Sequence, residues 1–160
     1  MKKFISIICL LTIIFMCFGC GKSEEDERKD AQMGRELAQG TMMIAGAPIM
    51  MQRTFIFINS GNITDSSIKE VEDMIDSAKK CHKALDVSPK SMKYLEGWKD
   101  FRSEAKDVVD DAIDLLKDFK DIIEKARKKK NINGDIEDYN DDIKKYEKRY
   151  RKLEELHRKL

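Results

Sequence analysis

An all-α fold, an elongated bundle of about four helices ending in a long antiparallel coiled-coil hairpin, is what the sequence predicts, and three observations predict it. Tyr94, Trp98, Phe101, Ala105, Val108, Ala112, Leu115, Phe119, Ile122 and Ala126 step by four and three without a miss. With 41% apolar residues, ten such hits arise by chance about once in ten thousand trials in a given register. Ile136, Tyr139, Ile143, Tyr146, Tyr150, Leu153, His157 and Leu160 repeat the step after a turn at Asn131-Ile132-Asn133-Gly134. Charged residues make up 38% of the chain, against the roughly 25% usual for globular domains, which suits long thin helices with much solvated surface.

The first expected helix runs over 26–59. Its centre, Met42-Met43-Ile44-Ala45-Gly46-Ala47-Pro48-Ile49-Met50-Met51, is uninterrupted apolar, with a kink expected at Pro48, which lacks an amide and clashes one turn back. Thr54-Phe55-Ile56-Phe57-Ile58 also suits a strand. A second helix is expected over 65–86. Thr64 caps it, and Ile63 and Ile68 have the spacing of a hydrophobic staple. A third is expected over 89–130, with Ser88 as cap, Pro89 at the first helical position, Val87 and Met92 as staple and Gly97 as a weak interior point. At that length it would span about 63 Å. The fourth, 135–160, starts with Asp135, Glu137 and Asp138 at its positive end. Helices one, two and the first half of three would then form a short bundle, and the remainder a bare hairpin that should bind another copy, helix one or a foreign partner.

The first twenty residues carry a different message. Lys2 and Lys3 precede an apolar, charge-free run of fifteen residues, Phe4 to Phe18, followed by Gly19, Cys20 and the polar Gly21-Lys22-Ser23-Glu24-Glu25-Asp26-Glu27. A basic start, an apolar core and a small residue at the cut is the layout of an export signal. With Cys20 directly after the cut, it resembles the signal of bacterial lipoproteins, although Cys17 stands where that family most often has Leu. The resemblance implies cleavage of Gly19–Cys20, a diacylglyceryl thioether on Cys20 and, in many bacteria, a further acyl chain such as palmitate. It covers residues 1–20 only. It also implies a lipid-anchored protein on the exported side of the cell membrane or outer membrane; Gly21, where inner-membrane retention often uses Asp, points to the outer one in cells with two. An uncleaved anchor is the alternative. Fifteen residues rise only about 22 Å, short of the roughly 30 Å hydrocarbon core. Residues 20–30 are expected to be a charged flexible tether, and 31–160 a single domain.

Composition narrows the function. Residues 1–19 hold two lysines and no acidic group, so from Cys20 onward 29 basic side chains face 30 acidic ones, a formal charge of −1. No field gathers polyanions, and no nucleic acid partner is expected. Cys9 and Cys17 leave with the signal and Cys20 is lipidated, which leaves Cys81 alone, a small buried apolar group or a free thiol.

Catalytic and metal readings find little support. His82 and His157 lie on apolar seams, with Cys81 beside the first. Folding helices two and four back on helix three sets the two histidines level with residues near 92 and 108, about 24 Å apart, too far to share zinc. Met33 and His157 suggest a haem pair by sequence order, but straight helices place them about 35 Å apart, and no Cys-x-x-Cys-His is present. Gly40 and Gly46 lack the Lys and Ser/Thr of a phosphate loop. The doublets Asp110-Asp111 and Asp141-Asp142 lack calcium-loop spacing. The methionines between Met33 and Met51 read as core filler. The expected protein is therefore not an enzyme, with no cofactor and no metal. It is a scaffolding or protein-interaction module whose candidate contacts, for a partner or for self-association, are Tyr139, Tyr146 and Tyr150, residues that equally suit the core of the seam. The alternative is a lipoprotein whose Met-rich first helix binds a small hydrophobic ligand.

Overall fold

The computed structural model describes residues 24–58, 63–88, 92 and 94–160. The signal segment, Cys20 and the expected start of helix three at Pro89 lie outside the described residues. Among the described residues there are six helices: α1 Glu24–Ala45, α2 Ala47–Gln52, α3 Phe55–Ile58, α4 Asp65–Val87, α5 Trp98–Arg127 and α6 Asn133–His157. The four long ones run up and down in sequence. α5 is the central rod: α4 and α6 flank it and α1 and α2 close the remaining side. The all-α bundle stands as the sequence predicts.

α1 begins within the segment expected to be a flexible tether. Glu24, Glu25, Asp26 and Glu27 put negative charge on the positive helix end. Lys29 pairs with Glu25 one turn away at 3.0 Å, and Gln32 donates to Glu36 at 3.0 Å. These residues form a helix start, not a spacer.

The expected continuous helix over 26–59 is three pieces. Pro48 has no N–H for the carbonyl one turn back, so α1 stops at Ala45 and α2 restarts at Ala47. Thr54 then closes a turn with its Oγ1 donating to the Met51 carbonyl at 2.7 Å. The stretch that also suited a strand is the single helical turn α3.

α4 starts as expected. Thr64 Oγ1 accepts from the Ser67 amide, and Ser67 Oγ accepts from the Thr64 amide, a reciprocal cap. Ile63 and Ile68 both lie against the core.

The largest departure is at α5, which begins at Trp98 instead of 89 and holds 30 residues, about 45 Å. Ser88 ends α4 rather than starting α5: its Oγ donates to the Leu85 carbonyl at 2.8 Å and its amide to Ala84 at 3.0 Å. Val87 is exposed while Met92 is buried, so the expected staple does not form. Gly97 is not an interior helix residue. It sits just before α5 with φ 77°, a left-handed conformation that only glycine adopts without strain. There the chain turns into α5 beside Lys159 and Leu160. From Trp98 to Ile122 every residue of the periodic stripe is buried; Val109, Ile113, Leu116 and Ile123 widen it, because α5 is covered on several sides.

Arg102 fastens the end of α4 to α5. Its Nε donates to the Leu85 carbonyl at 2.6 Å and to Ser88 Oγ at 3.2 Å, and Nη2 donates to the Asp86 carbonyl at 2.9 Å. A cation meeting the free carbonyls of a helix C-terminus satisfies them and complements the dipole. Arg102→Met, which keeps the apolar stem, is expected to lower stability by about 2 kcal/mol in urea titrations. A change within error would show that water serves these carbonyls equally well.

The helical pair α5–α6 is not a bare extension. The two helices run antiparallel, with Lys125 against Asp135 at one end and Lys152 against Glu104 toward the other. α1 and α2 pack across both. The hairpin expected to seek a partner finds it within its own chain.

Candidate functional site

The three tyrosines singled out as contact residues face inward. Tyr139 and Tyr146 are 2% and 3% exposed, and Tyr150 is half-buried. They sit where α6 crosses the break in the first helix. Tyr146 Oη donates to the Ala45 carbonyl at 2.6 Å, Tyr139 Oη to the Pro48 carbonyl at 3.1 Å, and Tyr150 Oη reaches the Met42 carbonyl at 3.5 Å. The last turn of a helix has carbonyls without intrahelical partners, and this row of phenols supplies donors to them and to the following turn. Burial raises the pKa of all three phenols, and a neighbouring Asp118 adds to the effect at Tyr139. Of the two alternatives the sequence offers, outside contact and seam core, Tyr139 and Tyr146 lie in the core. Phe55, Phe119 and Tyr139 complete the cluster with ring centres 5.2–5.9 Å apart.

Cys81 is fully buried, its sulfur 3.3 Å from Thr41 Oγ1 across the α1–α4 contact. Burial pushes its thiol up to about 11, with the Thr41 hydrogen bond opposing in part. A buried thiol held in its protonated form serves packing.

The two histidines lie at levels other than those the folding-back count suggests. His82 stands between Asp86 (3.4 Å from Nδ1) and Asp110 (3.3 Å from Nε2), level with residue 110 rather than 92. His157 lies 6.0 Å from the Phe101 ring, level with 101 rather than 108. The reversal between Ser88 and Trp98 uses up chain that the count assigned to helix three, and so shifts α4 along α5. The expected distance of Met33 from His157 is corrected for a related reason. With the first helix broken at Gly46, Arg35 reaches the Leu160 carbonyl at 3.1 Å, so Met33 and His157 share one end of the bundle. That end is packed with the buried side chains of Leu37, Leu95, Trp98 and Phe101.

Asp110 meets His82, whereas Asp111 is drawn toward α6 by Arg149, which also reaches Asp107 at 3.6 Å. This three-residue network was legible only as an i, i+4 acidic pair on α5 facing one arginine. Asp141 and Asp142 pair with Lys144 and Lys145, each at 2.8 Å, on the exposed face of α6. Among the described residues no three His, Cys, Asp or Glu side chains are grouped to hold a metal ion, and no helix is long and apolar enough to cross a membrane.

Two clefts remain. A broad charged one of about 770 Å³ lies between α4 and α5, walled by Glu72, Asp76, Glu124 and Arg127. A smaller apolar one of about 220 Å³ opens between α3, α4 and α5, lined mainly by Met51, Ile58, Val71, Met74, Phe119 and Ile123. Of the methionines of α1 and α2, Met51 lines this cleft, whereas Met43 and Met50 are exposed and Met33 and Met42 are half-buried. No family model, curated protein or solved structure matches the chain.

Proposed function

We propose that this chain is a lipid-anchored protein of the bacterial cell envelope, acting as a non-catalytic binding or scaffolding module. Residues 1–19 serve as its export signal, and acylated Cys20 holds the helical bundle at the bilayer. The observation that carries the reading is the passage from Lys2-Lys3 through the fifteen-residue apolar run to Gly19-Cys20, only four positions before α1 begins at Glu24. Two or more acyl chains anchor stably, one only marginally. The bundle supports binding over catalysis because its buried polar groups are occupied in packing: Cys81 with Thr41, Tyr146 with Ala45, Tyr139 with Pro48.

Partner contact then falls to outward faces, not to the α5–α6 seam. α1 and α2 offer the exposed Met43 and Met50, and α6 offers the row Lys144, Lys145 and Arg151. The apolar cleft beside α3 favours a second reading, a site for a small hydrophobe. Its roughly 220 Å³ is below the ~300–1,000 Å³ of ordinary ligand pockets, so a ligand there would be small.

Metabolic labelling with an alkyne fatty acid tests the anchor. Label is expected in the wild-type chain, recovered in the membrane fraction, and absent from Cys20→Ala. Equal labelling of both chains, or of neither, would refute it.

A further inference from the structure

The anchor's place relative to the bundle has a consequence for how the molecule stands on a bilayer. Only Gly21, Lys22 and Ser23 separate Cys20 from α1, a reach of at most about 14 Å from Cys20 to Glu24. From Glu24 the chain is helical without interruption to Ala45, inside the core. Residues 25–33 are exposed or half-buried, and Gly34 is the first buried position. There the helix meets the bundle closely: a side-chain carbon at Gly34 would lie 2.5 Å from Leu95 Cδ2 and 2.7 Å from Met92 Sδ. The next residue, Arg35, holds the Leu160 carbonyl. The first ten residues of α1 thus form a stem about 15 Å long, continuous with a helix gripped by the core.

The chemistry of the stem decides its posture. Glu24, Glu25, Asp26, Glu27 and Asp30 outnumber Arg28 and Lys29, so an anionic bilayer repels it. It has no apolar face with which to lie in the interface; Ala31 and Met33 are its only apolar residues.

We propose, resting on the acylated-Cys20 reading, that α1 is a rigid mount. It turns the end of the bundle built from residues 94–97 and 158–160 toward the lipid headgroups. The opposite end, at Ile63–Asp65 and Lys128–Lys130, is held about 45 Å farther out, the length of α5. A partner in the surrounding envelope then meets the outer end and the upper flanks of the bundle first.

The full chain, acylated by its own cells and reconstituted into phosphatidylethanolamine/phosphatidylglycerol vesicles, tests this. With Cys20 acylated and Cys81 buried, a cysteine introduced by Glu96→Cys or Lys130→Cys is the thiol that takes a fluorescent donor; both positions are exposed. Energy transfer to a headgroup-labelled acceptor lipid is expected to be several-fold greater from position 96 than from 130. Replacing residues 24–30 by a Gly/Ser run of equal length is expected to bring the two values together. Equal transfer from both sites in the parent chain overturns the upright mount, and an undiminished difference in the Gly/Ser variant overturns its rigidity. A chain that does not float with vesicles at all overturns the anchoring itself, a separate failure from that of the orientation.

Discussion

Trp98→Ala is expected to lower the unfolding free energy by about 3–5 kcal/mol, the usual range for truncating a fully buried aromatic. Trp98 is 1% exposed and opens α5 directly after the left-handed Gly97. Its ring lies 5.9 Å from that of Phe101, which in turn faces His157 on α6. The site therefore joins the 92–97 turn, α5 and the end of α6. A cavity there cannot close by moving one side chain, because Leu37 of α1 and Leu95 are themselves buried, and Leu95 Cδ2 lies close against α1 at Gly34. Against the 5–15 kcal/mol that holds a typical domain folded, this loss removes a large share of the total. Urea titration followed by circular dichroism measures it. A loss below about 1 kcal/mol would mean that Trp98 is not enclosed as described.

The second large effect is expected from Tyr139→Phe combined with Tyr146→Phe. Each removes one hydroxyl and no ring, leaving a buried carbonyl at the break in the first helix without its donor. At about 1–2 kcal/mol each, the pair is expected to lower stability by roughly 2–4 kcal/mol. The effect also has a pH signature. Burial raises both phenols above their ordinary value, so above about pH 10 the unfolded chain releases protons that the folded chain keeps. The unfolded state then binds fewer protons, and stability falls as pH rises. The double variant is expected to be less stable at neutral pH, with a shallower loss from pH 9 to 11. If these residues served an outside partner instead, the substitutions would leave the isolated protein's stability unchanged and weaken only its association.

The helices were legible because burial on a rod repeats every three to four residues; Phe101 to Ile122 and Tyr139 to Leu153 follow that rule and are buried as it requires, with Tyr150 half-buried. The boundary of α5 was not. Ser88-Pro89 is a strong helix start on local grounds, and nothing local says that Ser88 instead folds back on Leu85 under the reach of Arg102, seventeen residues away in sequence from Leu85. Gly97 shows the same limit. Its φ reports a turn, whereas its place between the stripe residues Tyr94 and Trp98 suggested a helix interior. The tyrosines were left open between outside contact and seam core because their positions on the seam fix the face of α6 but not what covers it. The break at Pro48 was visible in sequence, but that it exposes carbonyls for Tyr139 and Tyr146 to meet is a long-range fact. Cys20 is the reverse case: its proposed acylation rests wholly on linear order.

Intact mass of the N-terminal peptide, taken from protein extracted from the membranes of its own cells, tests the central claim most directly. An acylated lipoprotein yields a peptide that begins at Cys20 and carries a diacylglyceryl group, with the mass of residues 1–19 gone. A peptide that begins at Met1 and contains an unmodified Cys20 would contradict it.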